Sequence, residues 1–281
     1  MVRGEHMKTY AGQGWTSVKD QLYVSILLFL YRLLWGYCLY RLVKSAVVPL
    51  LMRYPDSAPN ELSRLLFFYE GEMSLTLSNT VHTYGWLLAG LLLIRMVLTP
   101  LIRAGIFYNL HQEAQGERGL FFFTGMQKLW KPVTIFYLIE LILTFAPGYW
   151  IVPKILPILL NGIQEPALLL HALPYTAGWF LYAYLIRISL LYMQFGRIGD
   201  SGMISSILTL FNNLGTAVLL SITVGGAAVV ILLLLSSASL IWAGLIGLII
   251  QQASYFLNGL FQIWVISSQY HLWKSSSSQH S

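Results

Sequence analysis

Charged residues are scarce in this sequence of 281 residues. Asp, Glu, Lys and Arg together make up 10% of it, whereas soluble globular domains carry about 25%, and hydrophobic residues make up 57%. A chain with so few charges cannot cover an ordinary water-facing surface. The composition therefore excludes the usual soluble classes and predicts an integral membrane protein.

Cysteine and the short motifs of common enzymes are also missing. Because Cys38 is the one cysteine, an intramolecular disulfide and a cysteine-based metal site are excluded. The sequence has no HExxH, no P-loop, no GxSxG and no GxGxxG after a strand. We expect no catalytic residue, no metal site and no cofactor, and we predict that the protein is not an enzyme.

One group of residues keeps an enzymatic interpretation open. His111 and Glu113 are the nearest approach to an acid/base or metal pair, although a solvated turn is the simpler interpretation. Only a cluster of His111, Glu113 and Glu117 at a cleft would favour an enzyme over the functions considered below.

The positive charge of the chain is spread out. The net charge is +6, yet the basic residues do not form the clustered patch that nucleic-acid binding needs, so nucleic acid is excluded as a partner. The positive-inside bias of membrane proteins explains the surplus more simply. The first 20 residues have no apolar core and no small-residue cleavage site, so we expect no cleaved signal peptide.

Six stretches reach the apolar length of about 20 residues that a bilayer requires. We predict spans at residues 22–42, 82–107, 132–151, 173–195, 214–235 and 240–267. The predicted fold class is all-α, a polytopic transmembrane helix bundle. Residues 22–268 form its single membrane domain, residues 1–21 a cytoplasmic N-terminal segment, and residues 269–281 a disordered cytoplasmic tail.

The connections predict further local structure. Residues 119–132 and 196–215 each contain a short amphipathic helix at the cytoplasmic interface, and residues 62–72 form one on the outer face after a turn-rich stretch at 54–61. Three prolines that cannot sustain a regular helix together end the third span: Pro147, Pro153 and Pro157. A short turn at residues 236–239 precedes the last span.

The Lys and Arg residues predict the orientation. With the N-terminus inside, nine of the 17 basic residues are cytoplasmic and three are outside, and the other five lie within spans. The cytoplasmic set is Arg3, Lys8, Lys19, Arg103, Arg118, Lys128, Lys131, Arg197 and Lys274; the outer set is Arg53, Arg64 and Lys154. Both termini are therefore predicted inside.

A layer of charges crosses the predicted bundle. Glu140 is the only acidic residue inside a span, and at a rise of about 1.5 Å per residue Arg32, Arg95 and Arg187 fall at a similar depth. An unpaired charge there costs roughly 2.5–3.5 kcal/mol, so these side chains should face the bundle interior and find partners. The layer is either a polar site for an anionic substrate or lipid headgroup, or an ion-pair network that fixes helix packing.

A polar stripe marks the sixth span. Gln251, Ser254, Asn258 and Gln262 follow one another at spacings of three, four and four, which places them on one helix face. Such a stripe lines a wet cavity or joins helices through hydrogen bonds.

The segment after the second span resembles a known group of proteins. It reads PLIRAGI at residues 100–106, GER at 116–118 and FFF at 121–123, with Gly125 before the next span. This pattern is similar to that of bacterial six-helix integral membrane proteins of unknown function, including the membrane domains of some glycerophosphodiester phosphodiesterases. The resemblance implies a stand-alone bacterial membrane domain. It implies no hydrolase activity, because the phosphodiesterase barrel and its metal-binding carboxylates are absent from this sequence.

Two functional hypotheses follow for a multi-pass protein of the bacterial cytoplasmic membrane. The first is a non-enzymatic accessory or scaffold component of membrane transport or of envelope and lipid organisation. Its partners would be membrane lipids and an exporter or other membrane protein subunit. The second is a small-solute or lipid transporter that uses the Arg/Glu layer. A cavity that reaches the layer from water favours the transporter, and a dry packed network favours the accessory component.

Overall fold

The computed structural model describes residues 2–51, 79–117, 119–162, 169–242 and 244–277. Within these ranges the chain is helical and has no strand, which confirms the all-α prediction. The helices are α1 Val2–Asp20, α2 Leu22–Leu51, α3 Asn79–Ala114, α4 Phe122–Phe145, α5 Gly148–Gly162, α6 Leu169–Ile198, α7 Met203–Asn212, α8 Leu214–Ile241 and α9 Leu245–Ser277. The predicted turn at 54–61 and the predicted outer helix at 62–72 lie outside the described residues.

Several helices suit a membrane. Leu22–Ser45, His82–Ala114 and Leu214–Ile241 are long and apolar enough to cross one, and α4 with the first part of α5, bent by 44°, would make a fourth span. Helices α6 and α9, of 30 and 33 residues, exceed the necessary length of about 20 but are not apolar enough to belong to this group. The helices support a membrane protein with three or four candidate spans.

Exposed apolar side chains support the same conclusion. Around the junction of α8 and α9, Leu240, Ile241 and Leu245 are 85%, 77% and 73% exposed. Apolar surface on this scale is unusual for a monomer in water and is what lipid chains would cover.

Prolines end helices less often than the sequence predicts. Pro147 separates α4 from α5 as expected, but Pro153 and Pro157 both lie inside α5. They are four residues apart, so their missing N–H groups fall on one helix face and the rest of the hydrogen-bond ladder persists. Pro132 likewise lies inside α4, so the predicted amphipathic segment at 119–132 and the third span share one helix.

The turn before the last helix also differs from the prediction. Residues 236–239 lie within α8, where the Ser239 hydroxyl donates to the carbonyl of Ser236 at 2.8 Å. The chain turns instead near Gly244, whose φ of 84° is a conformation that glycine adopts at little cost. By contrast, α7 is a separate helix within 196–215, as predicted.

The described chain divides into two compact units, residues 26–99 and residues 1–25 with 100–281. In the smaller unit, α2 and α3 run in opposite directions. The Tyr84 hydroxyl donates to the carbonyl of Ser45 at 2.9 Å, and the Arg95 guanidinium lies 5.2 Å from the ring centre of Trp35.

An aromatic cluster forms the core of the larger unit. Phe195 of α6 packs against Phe107 of α3 and Tyr270 of α9, with ring centres 5.8 and 5.2 Å apart. Trp273 packs 5.4 Å from Tyr270, and its Nε1–H donates to the buried Ser206 hydroxyl of α7 at 3.0 Å. These contacts hold one end of α6, α7 and α9 in a fixed arrangement, on which the site described below depends.

The two ends of the chain pack together in the larger unit. Trp264 Nε1–H of α9 donates to the carbonyl of Ala11 in α1 at 2.8 Å, and the Ser17 hydroxyl lies 2.9 Å from His271 Nε2. Burial lowers the pKa of His271, and the nearby positive charge of Lys274 lowers it further. Both effects favour the neutral imidazole in the folded protein.

The predicted disordered tail is partly helical. Residues 269–277 continue α9, and Tyr270, Leu272 and Trp273 are almost completely buried. The serine-rich composition suggested disorder, but these three apolar side chains pack into the core and hold the last turns. Residues 278–281 lie outside the described residues.

Candidate functional site

An ion pair joins α3 and α4. Arg103 Nη1 donates to Glu140 Oε2 at 2.5 Å, and the two side chains are 20% and 15% exposed. The guanidinium also lies 5.4 Å from the ring centre of Tyr137, one turn before Glu140 on α4. Glu140 therefore has a strong charge-assisted partner.

A cavity of about 290 Å³ opens beside this pair. We call it the arginine cavity, because Arg103 and Arg187 both line it together with Glu140. It lies wholly within the larger unit and is lined by α3, α4, α6, α8 and α9. The lining is Arg103, Phe107, Glu140, Tyr184, Arg187, Ile188, Leu191, Gln194, Ser221, Gly225, Gln262, Val265, Ile266 and Gln269.

Arg187 is the second cation of the arginine cavity. It lies in the second half of α6, and the residue is exposed although it lines a cavity between helices. In the part of the chain that the structure describes, Arg187 makes no hydrogen bond and no ion pair within 4 Å. Its N–H groups are therefore open to a ligand in the cavity.

Amide side chains line the remaining polar wall. Gln269 accepts from the Tyr192 hydroxyl at 2.8 Å and donates to the carbonyl of Ala217 at 2.7 Å and to the Ser221 hydroxyl at 2.8 Å. This buried network ties α6, α8 and α9 together. Its fixed geometry keeps the wall in place, since breaking any of these bonds would leave a buried polar group unpaired.

One buried amide that lines the cavity has an acceptor without a hydrogen-bond partner among the described residues. Gln194 is 4% exposed and lines the cavity, and its Oε1 has no hydrogen-bond partner among the described residues. A buried polar atom without a partner is costly unless water or a ligand satisfies it. The cavity is therefore suited to hold water or a polar molecule.

The charges of the cavity favour anions. Two arginines and one glutamate leave one positive charge in surplus. Guanidinium groups bind carboxylate, phosphate and sulfonate oxygens through paired N–H donors, and the interaction strengthens away from bulk water. The remaining lining residues are mostly apolar, which suits a ligand with a short apolar part.

The predicted charged layer is distributed over the two units. Glu140 and Arg187 lie in the larger unit and line one cavity, whereas Arg32 and Arg95 lie in the smaller unit. Arg32 and Arg95 are close enough for their charges to interact. The layer of four residues as a whole stays a prediction.

Sequence reasoning missed the partner of Glu140. The orientation count predicts Arg103 in the cytoplasm, but α3 continues beyond it to Ala114, and Ala104, Ile106 and Phe107 are buried. The apolar run AGIFY directly after Arg103 was the available signal that the arginine lies within the packed helix.

The polar stripe of α9 divides along its length. Gln262 lines the arginine cavity, while Gln251 and Asn258 are exposed. The Ser254 hydroxyl donates to the carbonyl of Gln251 at 2.7 Å, within its own helix. The structure therefore brings Gln262 to the site and leaves the other three outside its lining.

The residues of the enzymatic interpretation contact different partners. His111 Nδ1 lies 2.9 Å from the Tyr270 hydroxyl, and Glu113 accepts a hydrogen bond from the Gln21 amide. Within the described ranges no group of three His, Cys, Asp or Glu side chains could hold a metal ion. Glu117 is exposed and belongs to neither contact.

Comparison with protein-family models, with curated proteins and with solved structures finds no match for this chain. The similarity to the membrane domains of glycerophosphodiester phosphodiesterases therefore stays a prediction from the sequence. A fold alone does not fix a function, so the arginine cavity carries the functional information.

Proposed function

We propose that the protein binds a small anionic solute or a lipid headgroup in the arginine cavity and carries it as a multi-pass transporter of the bacterial cytoplasmic membrane. One observation carries the proposal: the guanidinium groups of Arg103 and Arg187 and the single carboxylate of Glu140 share one cavity. A dry, closed network would have favoured an accessory or scaffold component. The open space beside the ion pair favours binding.

The size of the cavity narrows the ligand class. Small-molecule sites typically measure about 300–1,000 Å³, and this cavity of about 290 Å³ is at the lower limit. It suits one anionic group with a short apolar part. Such a ligand comes either from a free solute or from the headgroup region of a lipid, and both present the same oxygens to Arg187.

The proposed topology has six spans with both termini in the cytoplasm. In this topology, helices α6 and α9 supply two spans that are less apolar than the others, since a bundle partner tolerates the polar residues facing a cavity. Moving Arg103 from the cytoplasmic set into the bundle still leaves eight basic residues inside against three outside. The orientation is therefore unchanged.

Calorimetric titration of the purified protein in a neutral detergent tests the proposal. The probe is 1-butanesulfonate, an anion with a short apolar tail, and n-butylammonium and 1-butanol are its cationic and neutral counterparts. We expect binding of the sulfonate and none of the amine. Arg187→Gln should weaken binding roughly 10–100-fold, because hydrogen bonds to charged groups contribute about 1.5–3 kcal/mol.

Lys131→Gln is the matched control, since it removes an exposed cation of α4 that does not line the cavity. It should leave sulfonate affinity unchanged. Equal binding of the amine, or no effect of Arg187→Gln, would refute an anion site. Competition by dihexanoyl phosphatidic acid, but not by inorganic phosphate, would identify a lipid headgroup as the source of the anion.

A further inference from the structure

We infer that Glu140 is an exchangeable counter-ion, so that the arginine cavity takes up a proton together with each anion. The inference rests on the proposed function and adds the coupling ion to it. The Glu140 carboxylate holds Arg103 through a hydrogen bond from its Nη1. When the carboxylate is protonated, Arg103 is released to join Arg187 in binding the ligand.

Access supports the exchange. Arg103, Glu140 and Arg187 all line the same cavity, so an anion beside Arg187 reaches Arg103 without crossing packed protein. The pair has one contact, from Arg103 Nη1 to Glu140 Oε2, and both side chains keep some exposure. The stacked Tyr137 ring holds the guanidinium in place when the carboxylate leaves it.

Charge balance gives the exchange a reason. With Glu140 ionised, the cavity carries one surplus positive charge, and a bound monoanion would reduce this to zero while competing with the carboxylate for Arg103. Transfer of a proton from water to Glu140 raises the surplus positive charge from one to two, and binding of the anion returns it to one. Protonation removes the carboxylate that competes with the anion for Arg103, and it removes the repulsion between two negative groups in one cavity.

The groups that face Glu140 are few. Arg103 approaches it from α3, and Arg187 and Tyr184 line the cavity from α6. On α5, the titratable residues of the described range are Tyr149 and Lys154, and neither lines the cavity. Glu140 is therefore the one carboxylate in the lining whose protonation can be linked to the anion.

Linkage makes the coupling reciprocal. If the anion binds the protonated site more tightly, the anion raises proton affinity by the same factor. In a transporter, this coupling would move one proton in the same direction as each monoanion. A transmembrane pH difference would then drive accumulation of the anion.

The test is the pH dependence of sulfonate binding. The charge of 1-butanesulfonate does not change between about pH 5 and pH 8, so any dependence comes from the protein. We expect affinity to fall as pH rises, by up to about tenfold per pH unit. Glu140→Gln should remove this slope and bind at high pH at least as well as the wild type, and Glu140→Asp should retain the slope.

A second measurement needs no variant. Titration of the wild type in two buffers of different ionisation enthalpy counts the protons taken up, and we expect close to one per sulfonate in the middle of the range. Binding without proton uptake, or an unchanged slope in Glu140→Gln, would overturn the coupling and leave the anion site standing. Absence of binding at every pH would instead refute the proposed function.

Discussion

Removal of the Glu140 carboxylate should destabilise the larger unit by a measurable and reversible amount. Glu140→Gln keeps the volume of the side chain but leaves the Arg103 guanidinium without its anion. Breaking a fully buried pair costs about 3–5 kcal/mol. Because these side chains are 20% and 15% exposed and line a cavity, water can re-solvate the arginine, and we expect a loss of about 1–2 kcal/mol.

Thermal unfolding in detergent, followed by tryptophan fluorescence in anion-poor buffer, measures this loss. For a chain of this size a loss of about 1–2 kcal/mol lowers Tm by roughly 2–8 °C. The double variant Arg103→Gln with Glu140→Gln should recover most of the stability, because both charges are gone. Arg197→Gln, which removes an exposed cation at the end of α6, is the control. Its effect on stability should add to that of Glu140→Gln, and the double variant should recover no stability.

The cycle also distinguishes among the arginines that the sequence offers. Strictly additive effects of Arg103→Gln and Glu140→Gln would refute the pair. If Arg32→Gln or Arg95→Gln restores stability and Arg103→Gln does not, Glu140 pairs with an arginine of the smaller unit, as the predicted charged layer implies.

Two further predictions concern packing and pH. Gly196→Ala should lower the free energy of unfolding, measured with denaturant, by about 1–3 kcal/mol. The new Cβ would lie 2.5 Å from the Gly202 carbonyl oxygen and 2.8 Å from Ser206 Cβ. Gly178→Ala is the control on the same helix; nothing lies within 4 Å of its Cβ, so it should be neutral or slightly stabilising. Stability should fall as pH drops below about 6.5, because folding lowers the pKa of His271 and the unfolded chain therefore binds the proton first. His271→Gln should flatten that part of the pH profile.

The class of the protein could be predicted from the sequence because it depends on composition and length. The apolar stretches at 22–42, 82–107 and 214–235 each fall inside one helix of the structure. Periodicity and helix rise also selected Glu140, Arg187 and Gln262, which the structure places around one cavity.

The helix ends and the ion pair could not be predicted in this way, because tertiary contacts decide them. Arg103 follows Pro100 closely and resembles the end of a span, yet packing extends α3 beyond it. The serines after Trp273 suggested disorder, yet burial of that tryptophan holds the last turns of α9. In each case long-range packing outweighed local composition.

The N-terminal segment shows the same limit. The count of basic residues predicts a cytoplasmic segment at residues 1–21, and most of this range forms α1. The contact between Trp15 and Trp264, with ring centres 5.1 Å apart, joins residues at opposite ends of the chain. A single sequence gives no sign of such a pairing.

The proposed function requires Arg187 to present an anion site in a cavity that ligands can enter. Titration of the wild type and of Arg187→Gln with 1-butanesulfonate at about pH 5.5, with n-butylammonium as counterpart, tests it most directly. Saturable, one-to-one binding of the sulfonate that Arg187→Gln weakens at least tenfold is the predicted result. No sulfonate binding, or equal affinity in the variant, would refute an anion site at Arg187.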